Sequence, residues 1–304
     1  MASKGDVLHS HPVPAPCADG AAPTVGDVVA RMADTIGSLA EARDLLALLH
    51  DVPRHWPSVA RDEPMSPPDT EAAMNAAIRR ATGMPMEYAA GRANFRHLTL
   101  HVDARVLIPR PETEVLVDLV LEYTRNETGG TAVDVGTGSG AIAIALATEG
   151  TFARVIATDL SLDALANAQE NIARHAHACA TSVELRHGSL LGPVTERGVR
   201  AVVSNPPYIA FAEAGTLPPA VRNWEPSVAL FSAENGTAAA ARLVRDAAAL
   251  LAPRGLLALE VDARQAATIA ALAVSHGAYA DVRVMQDLTG RERFVVARRR
   301  EEQG

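Results

Sequence analysis

Residues 201–208, Ala201-Val-Val-Ser-Asn205-Pro206-Pro207-Tyr208, are an apolar strand that passes directly into a polar turn locked by two prolines. Each proline holds φ near about −65° and lacks an N–H, so the carbonyls of the turn are left to face a ligand. The Asn205 side-chain oxygen and the Pro206 carbonyl can then accept the two hydrogens of an NH2 group, while Tyr208 stacks on its plane. Such a cradle suits a planar amide or an aminated base. An amide nitrogen is a poor nucleophile because its lone pair is delocalised into the carbonyl. Fixing both N–H bonds aims that lone pair at an electrophilic methyl group and requires no general base. The plainer reading, a rigid turn with a partly buried tyrosine, is disfavoured by the turn's place at the carboxyl end of a strand beside a second constellation.

That constellation is Asp134-Val-Gly136-Thr137-Gly138-Ser139-Gly140, which follows an apolar strand and opens a helix bearing Ile142, Ile144, Ala145 and Leu146. The glycines permit a tight turn and let a ligand lie against bare backbone near the helix N-terminus. Asp159 ends the next strand, where a carboxylate accepts both hydroxyl hydrogens of a ribose. Loop and acid together imply an adenosine-type ligand. The dinucleotide fingerprint is G-x-G-x-x-G, whereas these glycines fall as G-x-G-x-G, and Asp134 sets a negative charge where a pyrophosphate would be repelled. A cationic sulfonium or α-amino group suits that charge, which suggests S-adenosylmethionine as the cofactor.

Both motifs need strand ends to hold them, and the chain supplies these in alternation with helices. Strands are expected at Ala132–Val135, Arg154–Thr158, Ser182–Arg186, Ala201–Ser204, Gly255–Val261, Asp281–Gln286 and Arg293–Ala297. Helices are expected at Glu112–Arg125, Ser139–Thr148, Leu162–His175, Thr237–Leu251 and Arg264–His276. The alternation argues for an α/β domain with a mostly parallel sheet covered on both faces. The last two strands are joined by a turn at Asp287–Glu292, too short for a helical crossover, so they form an antiparallel hairpin. Seven strands ending in a hairpin favour a Rossmann-like class I methyltransferase sheet over the six-stranded dinucleotide-binding arrangement.

Upstream, Val28, Val29, Met32 and Ile36, and then Leu45, Leu46, Leu48 and Leu49, recur at helical spacing; Pro53, Pro57, Pro64, Pro67 and Pro68 separate them from a third helix at Thr70–Ala81. Residues 24–92 therefore read as a small helical domain, residues 93–110 as a hairpin or linker (Phe95, Leu98, Leu100 and Val102 alternate), and residues 111–304 as the α/β domain. Residues 1–23, rich in Pro, Ala, His and Gly, read as a disordered leader.

Composition narrows the function further. The 304 residues carry 28 Lys+Arg against 36 Asp+Glu, a net charge of −8, which argues against direct nucleic-acid binding as the main activity. No apolar run approaches the about 20 residues that span a bilayer, and the N-terminus lacks a secretory pattern. Cys17 and Cys179, the only cysteines, show no pairing or metal spacing, which fits a reducing cytoplasm. No metal is expected: His9 and His11 lie in the leader, and His175 and His177, two apart on a helix, share no face. The Arg298–Arg300 run is followed at once by Glu301 and Glu302 and reads as a solvated tail.

Taken together, the motifs resemble the protein-(glutamine-N5) methyltransferases of the HemK/PrmC type, over about residues 40–298. The most specific pieces are Val106-Leu-Ile-Pro-Arg110-Pro-Glu112-Thr-Glu114, Gly136–Gly140 and Asn205–Tyr208. Weaker ones are Tyr88-x-x-Gly91-x-x-x-Phe95, Glu225-Pro226 with Ala229-Leu230, and Asp287-Leu-x-Gly290-Arg291-x-Arg293. The resemblance implies methyl transfer from S-adenosyl-L-methionine, with S-adenosyl-L-homocysteine as product, to the glutamine of the Gly-Gly-Gln motif in a peptide chain release factor. It implies cofactor contacts from Gly136, Thr137, Gly138, Ser139, Gly140 and Asp159, and Asp134, Ser189, Leu190 and Asn205 are expected to join them. It makes Asn205, Pro206 and Tyr208 the catalytic cradle, with Pro207, Phe95 and Arg110 also on the substrate side, and gives the helical domain a part in holding the release factor. Phe95 has a second reading, in which it pins the linker to the core.

The chain departs from the family at two places. Gly188-Ser189-Leu190 stands where an acid usually lies near the adenine, and Asp262 stands where a glycine usually follows Glu260-Val261. These motivate an alternative, a small-molecule acceptor or use of the cofactor itself. Adenine-N6 methylation rests only on Asn-Pro-Pro-Tyr and is opposed by the net charge of −8.

Overall fold

A computed structural model describes residues 22–301, so the leader expected at residues 1–23 lies almost wholly outside the described residues, as do Cys17, His9 and His11. The chain divides into two compact units, one ending at Ala81 and one beginning at Thr82. The first contains α1 (Val25–Ile36), α2 (Leu39–His50), the short α3 (Trp56–Val59) and α4 (Pro67–Ala81). Thr24 and Asp27 form a reciprocal capping box at the start of α1, so the helix begins where two otherwise orphaned N–H groups find oxygen partners. The apolar spacing of α1 resolves into a buried face of Val25, Val28, Val29 and Met32.

The second unit opens with α5 (Met86–Ala90) and the antiparallel pair β1 (Arg92–Phe95) and β2 (Leu98–His101). Tyr88 of α5 packs with Ala93, Val102 and Ala164, so α5 groups with the hairpin in the second unit. The alternation from Phe95 to Val106 is a hairpin that begins earlier, at Arg92.

There follow α6 (Pro111–Thr124), β3 (Thr131–Val135), α7 (Ala141–Glu149), β4 (Arg154–Asp159), α8 (Leu162–His175), β5 (Ser182–His187) and β6 (Val199–Ser204). α8 ends at His175, so His177 lies beyond the helix that was expected to carry both. A segment that strand and helix periodicity does not foresee comes next: β7 (Ile209–Ala210), a 3-10 turn at Phe211–Thr216, α9 (Pro219–Trp224), α10 (Ser227–Leu230) and β8 (Phe231–Ser232). The chain closes with α11 (Ala238–Ala247), β9 (Leu251–Glu260), α12 (Ala266–His276), β10 (Tyr279–Gln286) and β11 (Glu292–Arg299).

The seven-stranded sheet has the order β10-β11-β9-β6-β3-β4-β5. Strands β9, β6, β3, β4 and β5 run parallel, and β11 and β10 add antiparallel to β9 as the expected hairpin. Successive residues alternate between two cores: Ala201 and Val203, Leu256 and Ala258 face one with α6 and α7, whereas Val202, Leu257 and Leu259 face the other with α11 and α12. Phe95 is fully buried in the first core beside Leu98, Leu100 and Leu116. The strand order reverses at β3, with β4 on one side and β6 on the other, so a crevice opens at the carboxyl ends of these three strands.

Candidate functional site

A cavity lies in that crevice. Its wall includes Gly136 and Gly138 from the loop after β3, Asp159 at the end of β4, Ser189 and Leu190 after β5, and Asn205 and Pro207 after β6. Gly136 and Gly138 have φ values of +73° and +55°, and a Cβ built on either meets nothing within 4 Å. The glycines thus leave a bare cradle that a side chain would fill. Gly140 serves packing instead, for its φ is +83° and its missing Cβ lets Ile144 and Ala168 approach to 3.3 and 3.5 Å. One Asp159 oxygen accepts the Gly138 N–H and the other the Ser161 N–H, both at 2.9 Å, which fixes the carboxylate at the cavity edge with further lone pairs open. A cleft that joins bare glycine backbone and a fixed carboxylate to apolar side chains such as Val106, Leu107, Leu160 and Leu190 suits a nucleoside, so the expected S-adenosylmethionine site has residues to match.

Several of the expected contact residues lie off the cavity wall. Asp134 is fully buried and does not line the cavity; its Oδ2 accepts from Thr137 Oγ1 at 2.7 Å and from the Ala143 N–H at 3.1 Å, bracing the loop from below. Thr137 and Ser139 are buried with it, and Gly140 faces α8. The loop's alternation sends every second residue inward, which spacing alone does not reveal. Phe95 lies in the core and lines neither this cavity nor its neighbours, because the hairpin delivers its ring to the sheet face.

Burial, with a smaller contribution from the Asp159 charge, pushes the Asp134 carboxyl up to about 7, against the hydrogen bonds from Thr137 and Ala143. Between its ordinary value of 3.8 and about 7 the folded chain holds a proton that the unfolded chain releases, so stability falls as pH rises through that window. In Asp134→Asn this slope is absent. Melting temperatures from pH 4 to 8 should show the variant gaining on the parent up to about pH 7 and running parallel above it.

A second cavity adjoins the first, and Leu107, Asn205 and Ala229 belong to both walls. Arg110, Pro206 and Tyr208 complete its polar rim, with Leu217, Val221 and Leu230 opposite. Pro207 therefore faces the first cavity and Pro206 with Tyr208 the second, the two prolines splitting the turn between them. Arg110 is held by Glu225, whose oxygens lie 2.5 and 2.7 Å from its Nη2. Burial pushes the Glu225 carboxyl up while Arg110 pulls it back. Gln265 Nε2 donates to the Tyr208 carbonyl at 2.9 Å and to the Asn235 carbonyl at 3.0 Å, so the far end of the turn is clamped. The Arg293 guanidinium lies 5.8 Å from the Tyr208 ring centroid.

Residues that the motifs did not single out include Arg105, Leu107, Ser161 and Val228 on the first cavity. Buried Thr113 and Glu260 lie behind Asn205. Leu107 and Thr113 fall within the Val106–Glu114 run, but nothing in that run distinguishes them from their neighbours. Asp262, at an opening shared with Arg264, Arg291 and Arg293, pairs with Arg264 at 2.8 Å, and Arg264 in turn pairs with Glu213 at 2.5 Å.

The chain is similar in sequence and fold to known proteins. The Methyltransferase small domain family model matches residues 112–216. The chain is 44% identical over 233 residues to the release factor glutamine methyltransferase of Deinococcus radiodurans, covering 76% of this chain and 81% of that one. It is 42% identical over 241 residues to the protein of that name from Moorella thermoacetica, covering 79% and 84%. Against that from Streptomyces coelicolor it is 36% identical over 266 residues, covering 85% and 90%. In fold it is similar to the crystal structure of a methyltransferase from Pyrococcus furiosus, with a TM-score of 0.52 at 18% identity, covering 78% of this chain and 100% of that one.

Proposed function

The chain belongs to the release factor glutamine methyltransferases, and from that premise we infer that it methylates the side-chain amide nitrogen of a release-factor glutamine, using S-adenosylmethionine. The glutamine is that of the Gly-Gly-Gln motif. One observation carries the assignment of the site: Asn205 stands on the wall common to two adjoining cavities, one suited to the cofactor and one to the acceptor.

In this reading Gly136, Gly138, Asp159, Ser189 and Leu190 hold the cofactor, Asp159 taking the ribose hydroxyls. When bound, S-adenosylmethionine supplies an electrophilic methyl group on a sulfonium. The residues on the other side prepare the nitrogen. Asn205 Oδ1 and the Pro206 carbonyl accept the two amide N–H bonds, which orients the nitrogen lone pair and stabilises the positive charge that builds on the nitrogen during transfer. The Tyr208 ring limits the amide to one plane. Arg110, neutralised by Glu225, shapes the rim without adding net charge. The helical unit is assigned to holding the body of the release factor.

The relatives at 36–44% identity favour the release factor over a small molecule or adenine as acceptor. The cytoplasmic location expected from the cysteines goes with such a partner, and among the described residues no helix is long and apolar enough to cross a membrane. Incubation of the protein with S-adenosylmethionine and a release factor, followed by peptide mass spectrometry, should add one methyl to the glutamine of Gly-Gly-Gln. An unmodified glutamine with methyl transfer to a small-molecule pool would overturn the reading.

A further inference from the structure

A carboxamide is nearly symmetric in shape, so a cradle built on the Asn205 oxygen needs something to decide which end of the side chain faces the acceptor. Behind the cavity wall, Asn205 Nδ2 donates to Thr113 Oγ1 at 3.0 Å, and Thr113 Oγ1 donates to Glu260 Oε2 at 2.7 Å. The three side chains come from the end of β6, the first turn of α6 and the end of β9, and Thr113 and Glu260 are 5% and 0% exposed. An ionised carboxylate has no proton to give, so it takes the single hydroxyl proton of Thr113. Thr113 can then meet Asn205 only as an acceptor, and only the NH2 end of Asn205 satisfies it.

We propose that Glu260 and Thr113 are positioning residues forming a one-way hydrogen-bond relay that holds the Asn205 oxygen toward the acceptor amide. The proposal rests on the methyl-transfer reading above and adds to it a reason for the polarity of the cradle. A neutral Glu260 carboxyl is itself a donor. It can give its proton to Thr113, whose own proton is then free for Asn205 Oδ1; the amide can turn and present NH2 to NH2, a repulsive pairing.

The surroundings of Glu260 make that switch accessible. Its Oε1 has no hydrogen-bond partner among the described residues. Burial pushes its carboxyl up to about 7, opposed by the Thr113 hydrogen bond. Among the charges facing it, Arg293 from β11 and Arg110 ahead of α6 favour ionisation, while Glu112 on α6 opposes it. Tyr208, from the turn after β6, also faces it, and its hydroxyl is pushed up by burial and by Glu260. Ionisation of Glu260 with rising pH therefore switches the relay on.

Three measurements test this. Turnover of the wild-type protein at saturating substrates should rise with one ionisation near about pH 7. Glu260→Gln, which keeps volume but adds a donor, should lower kcat about tenfold or more, lose that ionisation, and leave affinity for S-adenosylhomocysteine within about twofold. Thr113→Val should behave alike, and Thr113→Ser should recover most of the loss, which guards against a folding defect in either variant.

Independently of turnover, the Asn205 side-chain NH2 resonances, assigned by their disappearance in Asn205→Ser, should shift with an inflection near about pH 7 in the wild type and stay flat in Glu260→Gln. Flat resonances in the wild type, or a Glu260→Gln variant with unaltered kcat and pH profile, would overturn the relay. A protein that shows the NH2 titration but no release-factor methylation would retain the relay and reject the acceptor.

Discussion

Asn205→Ala should lower kcat for release-factor methylation by about a thousandfold or more, roughly 4 kcal/mol of transition-state stabilisation, while S-adenosylhomocysteine binding weakens only several-fold. The asymmetry follows from where the residue stands. On the first cavity it is one of many wall residues, whereas on the second, in the proposed reading, Asn205, Pro206 and Tyr208 are the cradle's polar and planar contacts. Truncation removes the acceptor oxygen and leaves the Thr113 hydroxyl facing a void. Loss of an aligned, preorganised hydrogen bond at a centre that gains charge is the kind of deletion that acts on kcat more than on binding. Single-turnover kinetics beside calorimetric titration of S-adenosylhomocysteine checks the prediction. A variant retaining a tenth of the parental kcat would show that Asn205 is no more than part of the turn.

The second large effect concerns the other cavity. Gly136→Ala should weaken S-adenosylhomocysteine binding by about a hundredfold, because its Cβ points into open cavity space. Backbone strain contributes as well, since a φ of +73° costs a non-glycine residue about 1 kcal/mol. Gly37→Ala separates the two causes. Gly37 caps α1 at φ +84° with nothing within 4 Å of its Cβ, so the same strain arises at a residue that does not line the cavity. It should lower stability by about 1 kcal/mol and leave cofactor binding unchanged. Equal binding losses in the two variants, measured by titration, would show that strain rather than occupancy of the cradle is responsible.

The parts of the site that were legible in the sequence are those whose chemistry is carried by backbone. The prolines at 206 and 207 and the glycines at 136 and 138 announce a turn and a bare loop by type alone, and the strand before each sets its place on the sheet. The helices and strands of the α/β unit were legible because both faces of the sheet are buried, which writes alternation into Ala201 to Val203 and Leu256 to Leu259.

The direction of individual side chains was not legible. Asp134 has the residue type of a ligand contact, yet the turn folds its carboxylate under the loop, where Thr137 and Ala143 satisfy it. Phe95 is consistent with a pocket wall in sequence, but the hairpin register delivers it to the core. Thr113 and Glu260 meet Asn205 only because three distant stretches end at the same edge of the sheet, a coincidence of topology that has no local signal. The segment from Ile209 to Ser232, which supplies Leu217, Val221, Ala229 and Leu230 to the second cavity, is built from elements too short to carry a period.

The most direct test of the central claim is a crystal structure of the protein with S-adenosylhomocysteine and a peptide containing Gly-Gly-Gln. The expected result is the glutamine amide nitrogen within hydrogen-bond distance of both Asn205 Oδ1 and the Pro206 carbonyl, its plane against Tyr208. A glutamine bound elsewhere, or an Asn205 that turns its NH2 toward the peptide while Thr113 meets the oxygen, would contradict it.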